Sequence, residues 1–168
     1  MLRFVLNFVS NRTNKTKMIT QIPLSIEINS SAPVVCSRTI QIDTDIQSVW
    51  SILTNVNAWS TWQSDISDSE LKEPLAPGAS FLWKSGGTRI RSTVHSLDYC
   101  RSLGWTGKAA GTRAIHNWTL SQLNGHTEVV VEESMEGPLA RLLRKFLQKN
   151  LDQGMQSWLD LLKKECEK

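Results

Sequence analysis

The sequence predicts an α+β fold in which a curved antiparallel sheet of about seven strands is closed by one long C-terminal helix. From Ala79 onward, short runs with alternating apolar and polar residues follow one another, which is typical of strands. Gly137-Pro138 then opens an amphipathic stretch that continues almost to Lys168. A single helix across the concave face of such a sheet leaves a hollow beneath it, and we expect the functional site there.

A first strand and two short helices are predicted at the start of the domain. Ser37 to Ile42 alternates and contains β-branched residues, so it predicts a strand. Thr44 and Gln47 have the spacing of a capping box. Asn55 to Trp62 predicts a second short helix or turn carrying Trp59 and Trp62. One helical face is predicted from the i, i+3, i+4 and i+7 positions Ile46, Val49, Trp50 and Leu53.

Six further strands complete the predicted sheet. The Pro-rich stretch from Pro74 to Gly78 is a break, and Gly86-Gly87 and Asn124-Gly125 predict tight turns. The strands are predicted at Ile66–Lys72, Ala79–Lys84, Thr88–Leu97, Ser102–Lys108, Thr112–Leu120 and Thr127–Met135.

The C-terminal helix is predicted to begin with Gly137 as N-cap and Pro138 as its first residue. Its apolar stripe consists of Leu139, Leu142, Leu143, Phe146, Leu147, Leu151, Trp158, Leu159 and Leu162. Gly154 interrupts this stripe. Two interpretations stay open for Gly154: a close approach of the helix to the sheet, or room for a ligand.

Alternation along the strands divides their side chains into an inner and an outer set. The outer set carries Lys84, Arg89, Arg91 and His95, as a solvated convex face should. The candidate ligand-binding residues, from the inner set and the helix, are Phe81, Trp83, Ser92, Trp105, His116, Trp118, Glu133 and Phe146.

Each polar or aromatic candidate also has a purely structural interpretation. His116 is the only histidine predicted to face inward, and it is either a packed polar residue or an acid/base catalyst. Glu133 pairs with His116 or Arg141, binds a ligand hydroxyl, or lies at the rim. The tryptophans among the candidates either pack the core or form an aromatic wall. His95 and His126 are expected to be exposed.

Composition excludes several classes of function. The chain of 168 residues has 40% hydrophobic and 21% charged residues, which predicts one soluble domain. A formal charge of +3 and the lack of any recognition motif argue against a nucleic-acid partner. The three cysteines have no paired spacing, so neither a metal site nor a disulfide framework is predicted. No phosphate loop or other cofactor motif is found, and we expect no cofactor.

The first 30 residues are predicted to be a poorly ordered extension before a domain at residues 31–168. Met1 to Ile26 contains four basic residues and no acidic one, and Leu2 to Val9 is too short to span a bilayer. Met18 is an alternative start. We expect a cytoplasmic, reducing location, no stable membrane insertion, and a monomer or homodimer.

The order and spacing of several short stretches resemble the START-like helix-grip superfamily, also called SRPBCC, which includes polyketide cyclase/dehydrase-type proteins. The resemblance covers roughly residues 35–167. The stretches that carry it are Ile40–Leu53, Trp59–Trp62, Pro77–Phe81, Leu103–Gly107, His116–Trp118, Gly125–Val129 and Glu132–Leu143. It implies a deep apolar cavity under the C-terminal helix, in a family whose members bind lipids, sterols, polyketides or plant hormones.

Three functions follow as hypotheses. The first is non-covalent binding of a small hydrophobic ligand, with His116 and Glu133 orienting its polar group. The second is a cyclase/dehydrase-type enzyme in which His116 moves a proton and Glu133 is its partner. The third is a protein-interaction module resembling the chaperone activators of the superfamily, which would use an exposed surface and a filled interior.

Overall fold

A computed structural model describes residues 25–109 and 111–168 of the chain. Of the expected N-terminal extension, residues 1–24 therefore lie outside the described residues. Within the part that is described, no helix is long and apolar enough to cross a membrane.

One antiparallel sheet of seven strands forms the body of the molecule, as the alternating pattern predicted. The spatial order is β1-β7-β6-β5-β4-β3-β2, so that β1 and β2 are the two edges. The strands are β1 Val34–Ile42, β2 Ile66–Leu71, β3 Ser80–Ser85, β4 Thr88–Asp98, β5 Ser102–Ala109, β6 Thr112–Leu123 and β7 His126–Glu136. Together with the long C-terminal helix, this confirms the predicted α+β, helix-grip architecture.

The tight turns lie where glycine was expected to allow them. Asn124 and Gly125 have φ angles of 26° and 93°, and Leu123 pairs directly with His126 across this two-residue turn. Such positive φ angles at both central positions are typical of a hairpin turn whose twist matches its strands. The Asn-Gly pair therefore fixes the register between β6 and β7.

Two short helices, α1 Ile46–Thr54 and α2 Trp59–Trp62, are joined by a 3₁₀ turn at Val56–Ala58. The predicted capping box at Thr44 is wrong by one residue. Asp45 is the N-cap, and its carboxylate accepts hydrogen bonds from the Ser48 backbone N–H at 2.9 Å and from the Ser48 hydroxyl at 2.7 Å. The Thr44 hydroxyl instead donates to the Cys166 carbonyl at 2.9 Å, a tertiary contact that the local pattern does not reveal.

The C-terminal helical stretch is divided in two, where the sequence predicted one helix. A short helix α3, Pro138–Leu142, is followed by α4, Arg144–Cys166, and Leu143 between them has φ −104° and ψ 25°. Pro138 is the first helical residue, as predicted. The break passes unnoticed in the sequence because neither Gly nor Pro marks it and the apolar period continues through it.

The long helix α4 packs against the sheet along only part of its length. None of the residues from Arg144 to Gly154 is buried. The second half, in contrast, buries Met155, Trp158, Leu159 and Leu162. The C-terminal half of the helix is therefore seated in the core. Its N-terminal half is raised above the middle of the sheet and meets the sheet at the edge strand β1, where Gln148 bonds to the Val35 backbone.

The described residues before β1 cover part of the outer face of the sheet. The Ile26 N–H donates to Nδ1 of His95 at 3.3 Å, and the Asn117 side chain donates to the Ile26 carbonyl at 2.9 Å. His95 is half-buried beneath this segment, so the expectation that it is exposed is wrong. His126 is also only partly exposed.

Candidate functional site

An open cleft of about 720 Å³ lies between the inner face of the sheet and the raised half of α4. A small cavity of about 60 Å³ adjoins it at the sheet surface and shares seven of its residues, including Trp83, His116 and Glu133. The apolar lining comes from both sides: Trp83, Ile90 and Met135 on the strands, and Leu139, Leu143, Phe146, Leu147, Leu151, Met155 and Trp158 on the helices. A mostly apolar cleft with a few polar groups is the usual form of a small-molecule site.

Small side chains in one cross-strand row leave the space at the floor of the cleft. Ser92, Gly107 and Ala114 are neighbours across β4, β5 and β6. A Cβ added at Gly107 would meet Ile90 and Ser92 at 3.5 Å, an ordinary contact. Larger residues in this row would fill the floor, so the floor cavity exists because Ser92, Gly107 and Ala114 are small.

The next cross-strand row carries the polar centre of the cleft. Trp105, His116 and Glu133 are direct neighbours across β5, β6 and β7. His116 Nδ1 lies 2.5 Å from Glu133 Oε2, and the two side chains are 6% and 13% exposed. The imidazole stacks on Trp105 with a centroid distance of 4.4 Å and an interplanar angle of 8°. This arrangement fixes the orientation of the ring from below and from the side.

The second nitrogen of His116 has no partner. Its Nε2 is buried and makes no hydrogen bond within the described residues. A buried polar atom without a partner costs about 1–3 kcal/mol. Since His116 also lines the cleft, a ligand hydroxyl or carbonyl is a suitable partner for this nitrogen.

The roof of the cleft is loose and partly exposed. Phe146 lines it and is 61% exposed. Gly154 lines it as well, and a Cβ added there would meet nothing within 4 Å. Of the two interpretations of Gly154, the structure favours the room left for a ligand, because the helix does not approach the sheet closely at this residue.

Not all of the predicted candidate residues meet in the cleft. Trp83, His116, Glu133 and Phe146 line it, and Ser92 and Trp105 lie at its floor. Ser92 accepts a hydrogen bond from the Trp83 indole N–H at 3.0 Å, which holds that indole against the floor.

Phe81 and Trp118 lie elsewhere, in an aromatic core on the α2 side of the cleft. Trp59 from α2 is the centre of this core, and it contacts Phe81, Trp83, Trp105 and Trp158 with centroid distances of 5.2–5.9 Å. Trp118 packs on Trp158 at 5.6 Å. The expectation that Phe81 and Trp118 form ligand walls did not allow for Trp59, which packs on Phe81, or for Trp158, which packs on Trp118.

Several lining residues were not proposed from the sequence. Thr112 and Met135 lie on inner-facing strand positions, and Asn150 faces the cleft from α4. Asp65, in the loop after α2, accepts a hydrogen bond from the Ser157 hydroxyl at 3.4 Å and closes one end. Strand alternation was a usable signal for Met135, whereas nothing local distinguishes Asp65 from an ordinary loop residue.

Among the residues that the structure describes, the remaining reactive groups do not form a second chemical centre. Burial raises the pKa of the Cys36 thiol to about 12, with a hydrogen bond to Asp152 as the next cause. Burial also raises the pKa of Cys166 to about 12. Both thiols are therefore protonated at neutral pH and poor nucleophiles. No group of three His, Cys, Asp or Glu side chains suited to a metal ion occurs in the described residues.

A wider surface groove of about 820 Å³ lies at the same end of the molecule, outside the cleft. Asn29, Lys108, Arg113, Glu136 and Arg141 are among its lining residues. It lacks the buried His–Glu pair and the aromatic floor. The cleft is the better candidate because it joins an apolar interior to a buried polar pair.

Comparison with protein families gives one match over most of the chain. The family model described as polyketide cyclase / dehydrase and lipid transport matches residues 33–167. Among curated proteins, no sequence matches this chain.

Solved structures share the fold at low sequence identity. A hypothetical protein from Helicobacter pylori superposes with a TM-score of 0.74 and 20% identity, covering 83% of this chain and 91% of its own. The Zhui aromatase/cyclase from Streptomyces sp. R1128 superposes with a TM-score of 0.69 and 15% identity, covering 79% of this chain and 93% of its own. A START superfamily protein from Mycobacterium smegmatis superposes with a TM-score of 0.65 and 13% identity, covering 79% of this chain and 97% of its own. At these identities the similarity establishes the fold alone.

Proposed function

Because the chain belongs to the polyketide cyclase / dehydrase and lipid transport family, we propose that it binds a small, mostly apolar molecule in the cleft beneath α4. The ligand class is a lipid, a polyketide or an aromatic compound with at least one polar group. The observation that carries this proposal is the open cleft of about 720 Å³ with the His116–Glu133 pair at its floor.

The role of the pair in binding follows from its hydrogen bonds. Glu133 engages Nδ1 of His116, so the unpartnered Nε2 is the atom left for the ligand. With Nδ1–H donated to the carboxylate, a neutral imidazole accepts from a hydroxyl at Nε2, whereas an imidazolium donates to a carbonyl. The stacked Trp105 keeps the ring in one plane, and the apolar walls hold the remainder of the molecule.

A fluorescence titration tests the binding proposal. Trp83 and Trp105 line the cleft and its floor, so a ligand there should change tryptophan emission. The full chain would be titrated with a panel of fatty acids, phospholipids and aromatic polyketides. We expect at least one saturable response, and a His116→Ala chain should bind that compound about tenfold more weakly. A full panel without any saturable response would contradict the proposal.

The second candidate is a cyclase/dehydrase-type reaction, favoured by the hydrogen bond between His116 and a buried carboxylate. In such a reaction His116 would remove a proton from the carbon next to a ketone and return it to the β-hydroxyl, which would leave as water while a carbon–carbon double bond forms. Glu133 would fix the tautomer and stabilise the imidazolium. His116→Ala should then lower turnover of a β-hydroxy ketone substrate by about 10²–10⁴, whereas its affinity for the product should fall by only about tenfold. Unchanged turnover in this variant would remove the mechanism.

The hypothesis of a protein-interaction module resembling chaperone activators receives less support. It expected an interior filled by the protein's own side chains, and the open cleft counts against it.

We also propose a reducing, cytoplasmic location. Cys36, Cys100 and Cys166 are all free thiols, which is the usual state of cysteines in such a compartment. Fractionation of cells producing the full chain would test this.

A further inference from the structure

Three large apolar side chains are exposed together where α3 meets α4. Leu142 is 79% exposed, Leu143 is 40% exposed and Phe146 is 61% exposed. We call these three residues the α3–α4 patch. Single exposed apolar residues are common on proteins, and Leu82 and Tyr99 are examples in this one. Three within five positions, at a break between two helices, form a cluster that marks an interaction surface.

Basic residues surround the α3–α4 patch. Between Pro138 and Leu151 the sequence contains no acidic residue. The exposed basic residues in this stretch are Arg141, Arg144, Lys145 and Lys149. Lys108 and Arg113 line the same surface groove as Arg141, together with a single carboxylate, Glu136, so the groove is net positive. The next acidic residue along the helix, Asp152, already forms an ion pair with Arg38 at 3.0 Å.

We propose that the α3–α4 patch docks the protein on the surface of an anionic lipid bilayer. An apolar group flanked by Lys and Arg is the composition of helices that lie in the membrane interface, with the apolar side chains among the acyl chains and the basic ones at the headgroups. Phosphate-bearing headgroups complement the positive surface. This is peripheral docking and needs no spanning helix.

Charge also argues against the first 24 residues as the occupant of the patch. That segment carries Arg3, Arg12, Lys15 and Lys17 and no acidic residue. If this segment docked on the basic surface around the α3–α4 patch, like charges would be brought together. An anionic bilayer, in contrast, attracts both the segment and the patch.

The position of the patch gives docking a use for the cleft. Leu143 and Phe146 belong to the patch and also line the cleft. A protein docked through these residues would present the cleft to the acyl-chain region, so that an apolar molecule could enter without crossing water. Membrane docking goes beyond the proposed ligand binding and does not require a ligand in the cleft.

Vesicle co-sedimentation of the full chain is the test. We expect binding to vesicles of equal parts phosphatidylcholine and phosphatidylglycerol and much weaker binding to phosphatidylcholine alone. Raising the salt from 0.1 M to 1 M shortens the screening length from about 10 Å to about 3 Å and should release most of the protein. Because each basic residue contributes about fivefold in affinity, Lys145→Glu/Lys149→Glu should lower binding at least about 25-fold.

Matched variants separate docking from general charge and from ligand binding. Arg89→Glu/Arg91→Glu reverses the same number of charges on the outer face of β4 and should leave vesicle binding much closer to wild type. Leu142 does not line the cleft, so Leu142→Glu should weaken vesicle binding at least about tenfold while the response to a soluble cleft ligand stays unchanged.

Three outcomes would overturn the inference. They are equal binding to neutral and anionic vesicles, no vesicle binding while polyglutamate binds in its place, and equal losses in the patch variants and the outer-face control. A failed docking test with an intact fluorescence response would remove docking alone and leave the proposed ligand binding in place.

Discussion

The two ends of the space beneath α4 are built from the same sheet and the same helix but differ in what fills them. At the α2 end, Trp59 and Trp158 pack against Trp118 and Phe81, and the interior is closed. At the α3 end no side chain of the described residues fills the space in this way, and a cleft of about 720 Å³ remains. The backbone fold leaves a space beneath α4. The side chains in each half of that space determine whether it forms a packed core or an open binding cleft.

The difference follows from where bulky residues enter. The short helix α2 delivers Trp59 to the centre of the sheet, where it is fully buried and its indole N–H donates to the Leu53 carbonyl at 2.9 Å. The α3 end instead combines small residues such as Gly107 on the floor with Gly154 in the roof. One end is therefore a packed core, and the other is a container.

Replacing the central side chain of the closed end should give the largest effect. Trp59→Ala removes a fully buried indole, and we expect a loss of about 3–5 kcal/mol in the free energy of unfolding, measured by urea denaturation. Phe146→Ala, at the exposed roof of the open end, should change stability by less than about 0.5 kcal/mol.

If Trp59→Ala does not fold, Trp59→Phe provides the comparison. It keeps a ring in contact with Phe81 and should lower the free energy of unfolding by less than Trp59→Ala. Equal losses for the Trp59 and Phe146 variants would break the distinction between the two ends.

Filling the open end should separate stability from binding. Gly154→Leu places a side chain where a Cβ meets nothing within 4 Å, so the leucine has space to extend into the cleft. We expect a gain of about 1 kcal/mol in stability from helix propensity and a loss of at least about tenfold in ligand affinity. Gly154→Ala is the matched control, with a similar gain in stability and nearly unchanged affinity. A Gly154→Leu chain that binds as well as wild type would show that the cleft is not the site.

The raised half of α4 should depend on its attachment to β1. The Gln148 carboxamide accepts from the Val35 N–H at 3.1 Å and donates to the Val35 carbonyl at 2.8 Å, like an added strand residue. Gln148→Ala should cost about 1 kcal/mol and speed amide hydrogen exchange in the first turns of α4. Gln156→Ala is the control, since that exposed carboxamide donates to Asp160 on the same helix, and it should change neither measurement. Similar exchange in both variants would show that Gln148 does not hold the roof.

The smallest effect is expected on the outer face, away from both ends. Burial lowers the pKa of His95 below its ordinary value of 6.5, although the neighbouring Asn117 side chain partly opposes this. The unfolded chain therefore takes up the proton at a higher pH than the folded chain. This contribution to stability is complete above pH 6.5 and is lost as the pH falls below it.

In His95→Gln the amide oxygen can still accept a hydrogen bond from the Ile26 N–H, but the side chain does not take up a proton on acidification. Urea unfolding at pH 7 and pH 5 should show a smaller loss on acidification in this variant than in the wild type. An identical loss would show that His95 does not contribute to the acid sensitivity of the fold.

Much of the fold was predictable because strand alternation and turn chemistry are local. Asn124-Gly125 fixed a register that brings His116 directly opposite Glu133, and both were placed on the inner face by alternation alone. The break at Leu143 was not predictable, because no Gly or Pro marks it. That Trp59 would pack on Phe81 and close that half of the hollow was not predictable either, since it depends on how far this side chain reaches across the sheet from a short helix. Likewise, the covering of His95 depends on a tertiary contact with Ile26.

Native mass spectrometry of the full chain tests the central claim most directly. The protein would be mixed with the compound that gives the largest fluorescence response, beside the Gly154→Leu chain under the same conditions. An open α3 end that binds its ligand predicts a bound mass of one molecule on the wild type and little or none on Gly154→Leu. Equal occupancy of the two chains would contradict it, because the ligand would then lie outside the cleft.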